Sequence, residues 1–313
     1  MAEKLKAPSE EKKLEVVDIE KLQANRDEQR LGVLKTYKLY IDGQFPRTES
    51  GRYYSAKNSA GENLANICLA SRKDFRNAVV AARKAFASWS EKTAYNRGQI
   101  LYRIAEMLEG RREQFIAELI SVGASKKEAE REVTVATDRL VYYAGWSDKY
   151  QQVFSAVNPV SSHHFNFSLP EPVGVISMIA PEEAPLLGLV STIAPAIVGG
   201  NTCIALASTT KPLCAITFAE VLATSDLPAG VVNILTGQVS ELASHFASHM
   251  DVNSVLYCQD DREILTQIET LAAENVKRVI KPQIRDWFSD DAQDPYLIME
   301  FQETKTTWHP VGV

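Results

Sequence analysis

The 313-residue chain is poor in cysteine, and its four, Cys68, Cys203, Cys214 and Cys258, form no Cys-x-x-Cys pair. That removes the zinc-knuckle and dithiol redox classes and leaves reduced, buried thiols in a cytoplasmic protein as the reading. Long apolar runs are also missing: the most apolar stretch, Gly188 to Gly200, is interrupted by Pro195 and is too short to span a bilayer. The charged N-terminus has no apolar core and does not read as a signal peptide. No basic stripe exists, since Lys and Arg are scattered and the net charge is −6, so neither nucleic acid nor membrane is an expected partner. What remains is globular in kind, because 45% hydrophobic against 24% charged residues is enough to bury a core.

Residues 1–36 are mostly charged and predict a flexible or partner-dependent arm. Order is expected from Tyr37, where Tyr37 to Ile41 alternates and Asp42-Gly43 signals a hairpin turn. Three helices are predicted next, over Lys73 to Trp89 with Ser71 as N-cap, over Asn96 to Leu119, and from about Lys126 to Tyr150. The period then changes, with a strand over His163 to Leu169 and a fully buried one over Pro172 to Ala180.

From there strands and helices alternate. Helices are predicted at Ala184 to Val198, Leu213 to Ala223, Val239 to Ser248 and Asp260 to Ala273, and strands at Asn201 to Leu206, Val231 to Leu235 and Ser254 to Tyr257. Such alternation predicts parallel strands with right-handed crossovers in a doubly wound α/β sheet. Asp286 to Pro295 reads as an acidic turn, and Pro295 to Val313 as one more extended segment whose edge needs a partner, another subunit being one source.

The central segments carry a specific resemblance. Glu171-Pro-Val-Gly-Val-Ile-Ser-Met-Ile-Ala-Pro181, Pro185-Leu-Leu, Ile193-Ala-Pro-Ala-Ile-Val-Gly-Gly-Asn201 and Asp226-Leu-Pro-Ala-Gly-Val-Val-Asn-Ile-Leu-Thr-Gly237 resemble the aldehyde dehydrogenase superfamily. Tyr40-Ile-Asp-Gly43, Ala81-Ala-Arg-Lys-Ala-Phe-Ala-Ser-Trp89 and Tyr143-Ala-Gly-Trp-Ser-Asp148 add to it, in the family's order, from Tyr37 to Thr270. The resemblance implies a Rossmann-like cofactor domain over residues 37–285, with its N-terminal hairpin and helices, and an oligomerisation strand within residues 286–313. It also implies a catalytic domain, whose phrases this chain lacks. No Glu-Leu-Gly-Gly follows Val276-Lys-Arg-Val-Ile280 and no Gly-Gln-x-Cys occurs; the chain passes instead to Gln302-Glu-Thr-Lys-Thr306, which is similar to the family's C-terminal oligomerisation strand.

Matched residue by residue, the cofactor pocket implied by the resemblance is degenerate at Pro181, Glu183, Leu206, Thr209, Gln259 and Asp260. The family's Pro-Trp-Asn becomes Pro181-Glu182-Glu183, and a carboxylate at 183 cannot donate to an oxyanion. The family's Lys-Pro-x-Glu, which holds the adenosine ribose, becomes Leu206-Ala-Ser-Thr209. Its Phe-Thr-Gly-Ser becomes Tyr257-Cys-Gln-Asp260, followed by Asp261. Gln259 removes the permissive glycine, and the two acids stand where an anion would sit and are expected to cap the next helix. No NAD binding of the usual kind is expected.

Other candidates are weaker. Cys258 near a helix start is an environment that can lower a thiol pKa, but two neighbouring acids oppose this, and a structural thiol is the plainer reading. His163 and His164 point to opposite sides of a strand. His245 and His249 have a zinc-chelating spacing without a third ligand, so no metal is assigned. The leading expectation is a non-catalytic structural or regulatory subunit forming a homo-oligomer, or a hetero-oligomer with an active aldehyde dehydrogenase. One alternative is an NAD(P)-dependent aldehyde oxidoreductase completed by a partner chain. Another is a small-ligand module using Glu182, Glu183, Asp260 and Asp261 as an acidic cleft for a cation or amine.

Overall fold

The computed structural model describes residues 33–312; most of the arm expected over residues 1–36 lies outside them. The chain from Lys35 onward forms one unit. It enters through β1 (Thr36–Tyr37), β2 (Tyr53–Lys57) and β3 (Asn63–Cys68), which make a small sheet in the order β1-β3-β2. Asp42 and Gly43 make the tight turn, both at positive φ, and Ile41 bridges Gln44. The hairpin signalled there forms: Ile41 and Gln44 exchange backbone hydrogen bonds at 3.0 Å and the Leu39 N–H donates to the Pro46 carbonyl at 3.0 Å. Tyr37 pairs in parallel with Ile67 of β3, and Tyr40 forms an antiparallel bridge with the distant Ile234.

Helices follow: α1 (Arg72–Ser90), α2 (Ala94–Glu109), α3 (Arg112–Ser121), α4 (Lys126–Trp146) and the short α5 (Tyr150–Phe154). Ser71 caps α1 in a full capping box with Asp74, as the sequence predicts. The single helix expected over Asn96 to Leu119 is two. The chain turns at Gly110 and Arg111, where Arg111 pairs with Glu220 at 2.9 Å and re-aims Phe115 and Leu119 into the core.

Two sheets complete the molecule. β4 (Ala156–Asn158), β5 (His164–Pro172) and β11 (Gln302–Pro310) form one, in the order β11-β5-β4. The other is parallel, in the order β10-β9-β6-β7-β8, from β6 (Val175–Ile179), β7 (Thr202–Leu206), β8 (Val232–Leu235), β9 (Ser254–Tyr257) and β10 (Arg278–Ile280). Its crossovers are α6 (Leu187–Val198), α7 (Leu213–Ala223), α8 (Val239–Ser248) and α9 (Arg262–Ala273). Alternate residues of β6 feed different cores: Ile176 and Met178 pack towards α6 and α7, Val175 and Ile179 towards α1 and α8. That is the doubly wound arrangement the alternation predicts.

The C-terminal segment departs from expectation. Pro295 to Glu300 is not extended; α10 (Tyr296–Glu300) forms, because Asp294 Oδ1 accepts the Tyr296 N–H at 2.8 Å and proline suits a helix start. Nor does β11 wait for another chain. It pairs antiparallel with β5 from Gln302↔Pro172 to Pro310↔His164. No helix among the described residues is long and apolar enough to cross a membrane.

Candidate functional site

From β6 the chain goes to β7 and β8 on one side, then to β9 and β10 on the other. The loops after β6 and β9 therefore diverge at a switch point, where open α/β sheets hold ligands. Residues 180–186, 207–212 and 258–261 meet there. The loop after β6 lies so tightly on α6 that a Cβ at Gly188 would stand 2.2 Å from Pro181 Cγ.

Glu182 organises this end. Its half-buried carboxylate accepts hydrogen bonds from Ser208 Oγ at 2.7 Å, Thr209 N at 2.9 Å, Thr210 N at 3.2 Å, Thr210 Oγ1 at 2.8 Å and Gln259 Nε2 at 3.2 Å. Gln259 Nε2 also donates to the Ala180 carbonyl at 3.1 Å. Burial raises the pKa of this carboxyl, but the hydrogen bonds from Ser208, Thr209 and Thr210 outweigh it and hold the group below the usual glutamate range. A fixed negative charge thus sits among loop donors at neutral pH.

The next set of free N–H groups, at the start of α6, is occupied too. Buried Glu132 of α4 accepts from Leu186 N at 2.9 Å and Leu187 N at 3.1 Å; burial pushes its carboxyl up, against those two bonds. Sequence reasoning misses Glu132. Its signal is a carboxylate inside the apolar stripe Ala129, Val133, Ala136 and Leu140.

The remaining sequence-selected residues are placed as follows. Pro181 and Leu206 are buried, Glu183 is exposed, and Thr209 Oγ1 donates to the Gly237 carbonyl at 2.9 Å. Asp261 caps α9 by accepting from Glu263 N and Ile264 N. Asp260, expected to share that role, instead meets Lys281 Nζ at 3.0 Å, because Lys281 at the end of β10 also donates to the Gln259 carbonyl. Of the four acids proposed as one cleft, Glu182, Asp260 and Asp261 are engaged by separate sets of donors, and Glu183 is exposed.

Burial pushes the Cys258 thiol well above the usual range, with Glu183 adding to the shift and Lys281 opposing it. Its backbone N–H extends the sheet by donating to Ile179 O at 3.0 Å. His164 opens β5, with its ring edge-on to Trp308, and His163 precedes it outside the strand. His245 lies in the last turn of α8 and His249 is its C-cap, next to Phe75 of α1.

Sheet order, crossover pattern and loop-borne site define a doubly wound, Rossmann-like α/β protein. The chain belongs to the aldehyde dehydrogenase family, whose model matches residues 45–281. It is 32% identical over 250 residues to the putative aldehyde dehydrogenase DhaS of Bacillus subtilis (strain 168), covering 78% of this chain and 50% of that protein. To aldehyde dehydrogenase, cytosolic 1 of Elephantulus edwardii it is 34% identical over 250 residues, covering 77% and 49%. Among solved structures, a putative aldehyde dehydrogenase from Burkholderia cenocepacia superposes with a TM-score of 0.75 at 28% identity, over 80% of this chain and 50% of that one. The NAD+ complex of aldehyde dehydrogenase from Bacillus cereus gives 0.73 at 27%, over 83% and 52%. The chain spans about half the length of the curated relatives it matches.

Proposed function

We propose that this chain is a non-catalytic subunit of the aldehyde dehydrogenase family, structural or regulatory in role, which assembles with itself or with an active aldehyde dehydrogenase in the cytoplasm. The observation that carries this reading is the Glu182 carboxylate, which takes donors from the loops after β7 and β9.

NAD fits this end poorly. Its pyrophosphate needs free N–H groups and close backbone approach, whereas Thr209 N and Thr210 N already serve Glu182 and the Gln259 side chain fills the loop after β9. Leu206, buried and apolar, offers a ribose hydroxyl nothing to bond. At Glu183, where the resemblance places an oxyanion donor, a carboxylate would oppose developing negative charge. Of the four cysteines, Cys68, Cys203 and Cys214 are buried and Cys258 is half-buried.

Assembly is supported by the sheet β11-β5-β4. Phe165, Phe167 and Leu169 share one face, Val157 lies opposite Phe167, and Val157, Phe165 and Leu169 are exposed on it. Calorimetric titration with NAD and NADH into the millimolar range tests the reading, and no saturable heat is expected. Saturable binding would overturn it in favour of a working cofactor domain completed by a partner's catalytic half.

A further inference from the structure

His245 and His249 sit in surroundings that invert the metal reading of their spacing. A pocket of about 190 Å³ between α1 and the end of α8 is lined by Arg72, Phe75, Arg76, His245, Ser248 and His249. Every polar side chain on that wall can donate, and no carboxylate lines it. Neither Arg72 nor Arg76 makes an ion pair among the described residues, although Lys73 beside them pairs with Glu49. The Asp251 N–H donates to His249 Nδ1 at 3.2 Å, which leaves Nε2–H as the ring's donor, and the ring stands edge-on to Phe75 at 5.8 Å.

The basic groups around these imidazoles outnumber the acidic one, Asp251. Burial lowers both pKa values, and Arg72 lowers each further; at His249, Lys277 and Arg76 act the same way, with Asp251 opposing. Lys277 is only 9% exposed, and its Nζ has no hydrogen-bond partner among the described residues. A divalent cation would meet Arg72 and Arg76 and find no third ligand among the described residues. The C-terminal end of α8 offsets part of this charge through its dipole, but that leaves two arginines with no counter-charge. Guanidinium forks match tetrahedral oxyanions two bonds at a time.

We propose that this pocket binds a compact oxyanion, phosphate or the phosphoryl group of a small metabolite, through Arg72 and Arg76, with His249 Nε2–H and the Ser248 hydroxyl as further donors. The site is built from α1 and α8 residues, none of which touches Glu182, so it stands whether or not the subunit binds NAD.

The test titrates the full chain with inorganic phosphate and with glycerol 3-phosphate at ionic strength fixed by sodium chloride, reading melting temperature and histidine ring resonances. A saturable rise in melting temperature, with shifts at His245 and His249, is expected for at least one of them. Saturation by the ester alone identifies a metabolite's phosphoryl group, and saturation by phosphate identifies the free ion. Replacing both exposed arginines (Arg72→Gln with Arg76→Gln) should leave the unliganded melting temperature unchanged and weaken binding at least about tenfold. An equal response to chloride, or an undiminished response in the doubly substituted protein, would overturn the proposal.

Discussion

The side-chain amide of Gln259 donates to the Glu182 carboxylate across 3.2 Å, tying together loops 77 residues apart in the chain. The glutamine stands where the resemblance calls for a small, open glycine. The Glu182 carboxylate also takes donors from Ser208, Thr209 and Thr210. Each substitution alone would leave a gap, and together they satisfy each other.

Glu182→Ala should therefore destabilise the protein, since it strands donors on three residues besides Gln259. With the group half-exposed, the loss is expected at about 1–3 kcal/mol by urea denaturation. The pH dependence has a definite sign. The folded pKa lies below the unfolded one, so the contribution is complete above the usual glutamate value of 4.5 and fades as pH falls through the folded value. The stability gap between wild type and Glu182→Gln should narrow on acidification; a gap that widens there would refute this account of the carboxylate.

Arg139 should prove structurally essential. Its guanidinium is 1% exposed and donates to Ser191 Oγ at 3.1 Å, to the Trp287 carbonyl at 3.1 Å, and to the Ser289 and Ala292 carbonyls. Arg139→Met leaves those carbonyls without a donor and should cost about 2–5 kcal/mol. Trypsin should then cut at Arg285 faster than at other exposed sites, and an unchanged digestion pattern would show that the segment from Arg285 to Ala292 is held by other contacts.

Thiol chemistry gives a third check. At pH 8 the native protein should react slowly with a disulfide reagent, because Cys68, Cys203 and Cys214 are buried and burial raises the Cys258 thiol. Unfolding should release all four. One rapidly titrating native thiol, mapped to Cys258, would revive a reactive role for it.

The exposed apolar face predicts the assembly. Phe165→Glu with Leu169→Glu changes two exposed residues and should leave the fold intact while lowering the mass measured by light scattering. If the pair of charges leaves the oligomer unaltered, association runs through another surface.

Much of the fold is legible in the sequence because β6, β7, β8 and β9 are apolar runs buried on both faces, which few other structures accommodate. The strands that escape notice lack that signature. β10 is three residues flanked by Lys277 and Lys281, and β3 carries Asn63 and Asn66. At the site, residue types are readable but directions are not. Asp260 and Asp261 are equivalent as letters, and only the extended backbone at Asp261 and the reach of Lys281 decide which caps and which pairs. Glu182 shows the same limit: a carboxylate in a loop reads as solvated until three loops close around it.

The pairing of β11 with β5 has a consequence for how the molecule is made. Ser168 and Thr306 touch through their hydroxyls at 2.8 Å although 138 residues separate them. β5 is synthesised long before its partner, so a nascent chain carries Phe165 and Leu169 on an unfinished strand until β11 emerges. Closing that ladder is a late, long-range step, and any subunit that docks on this sheet must wait for it.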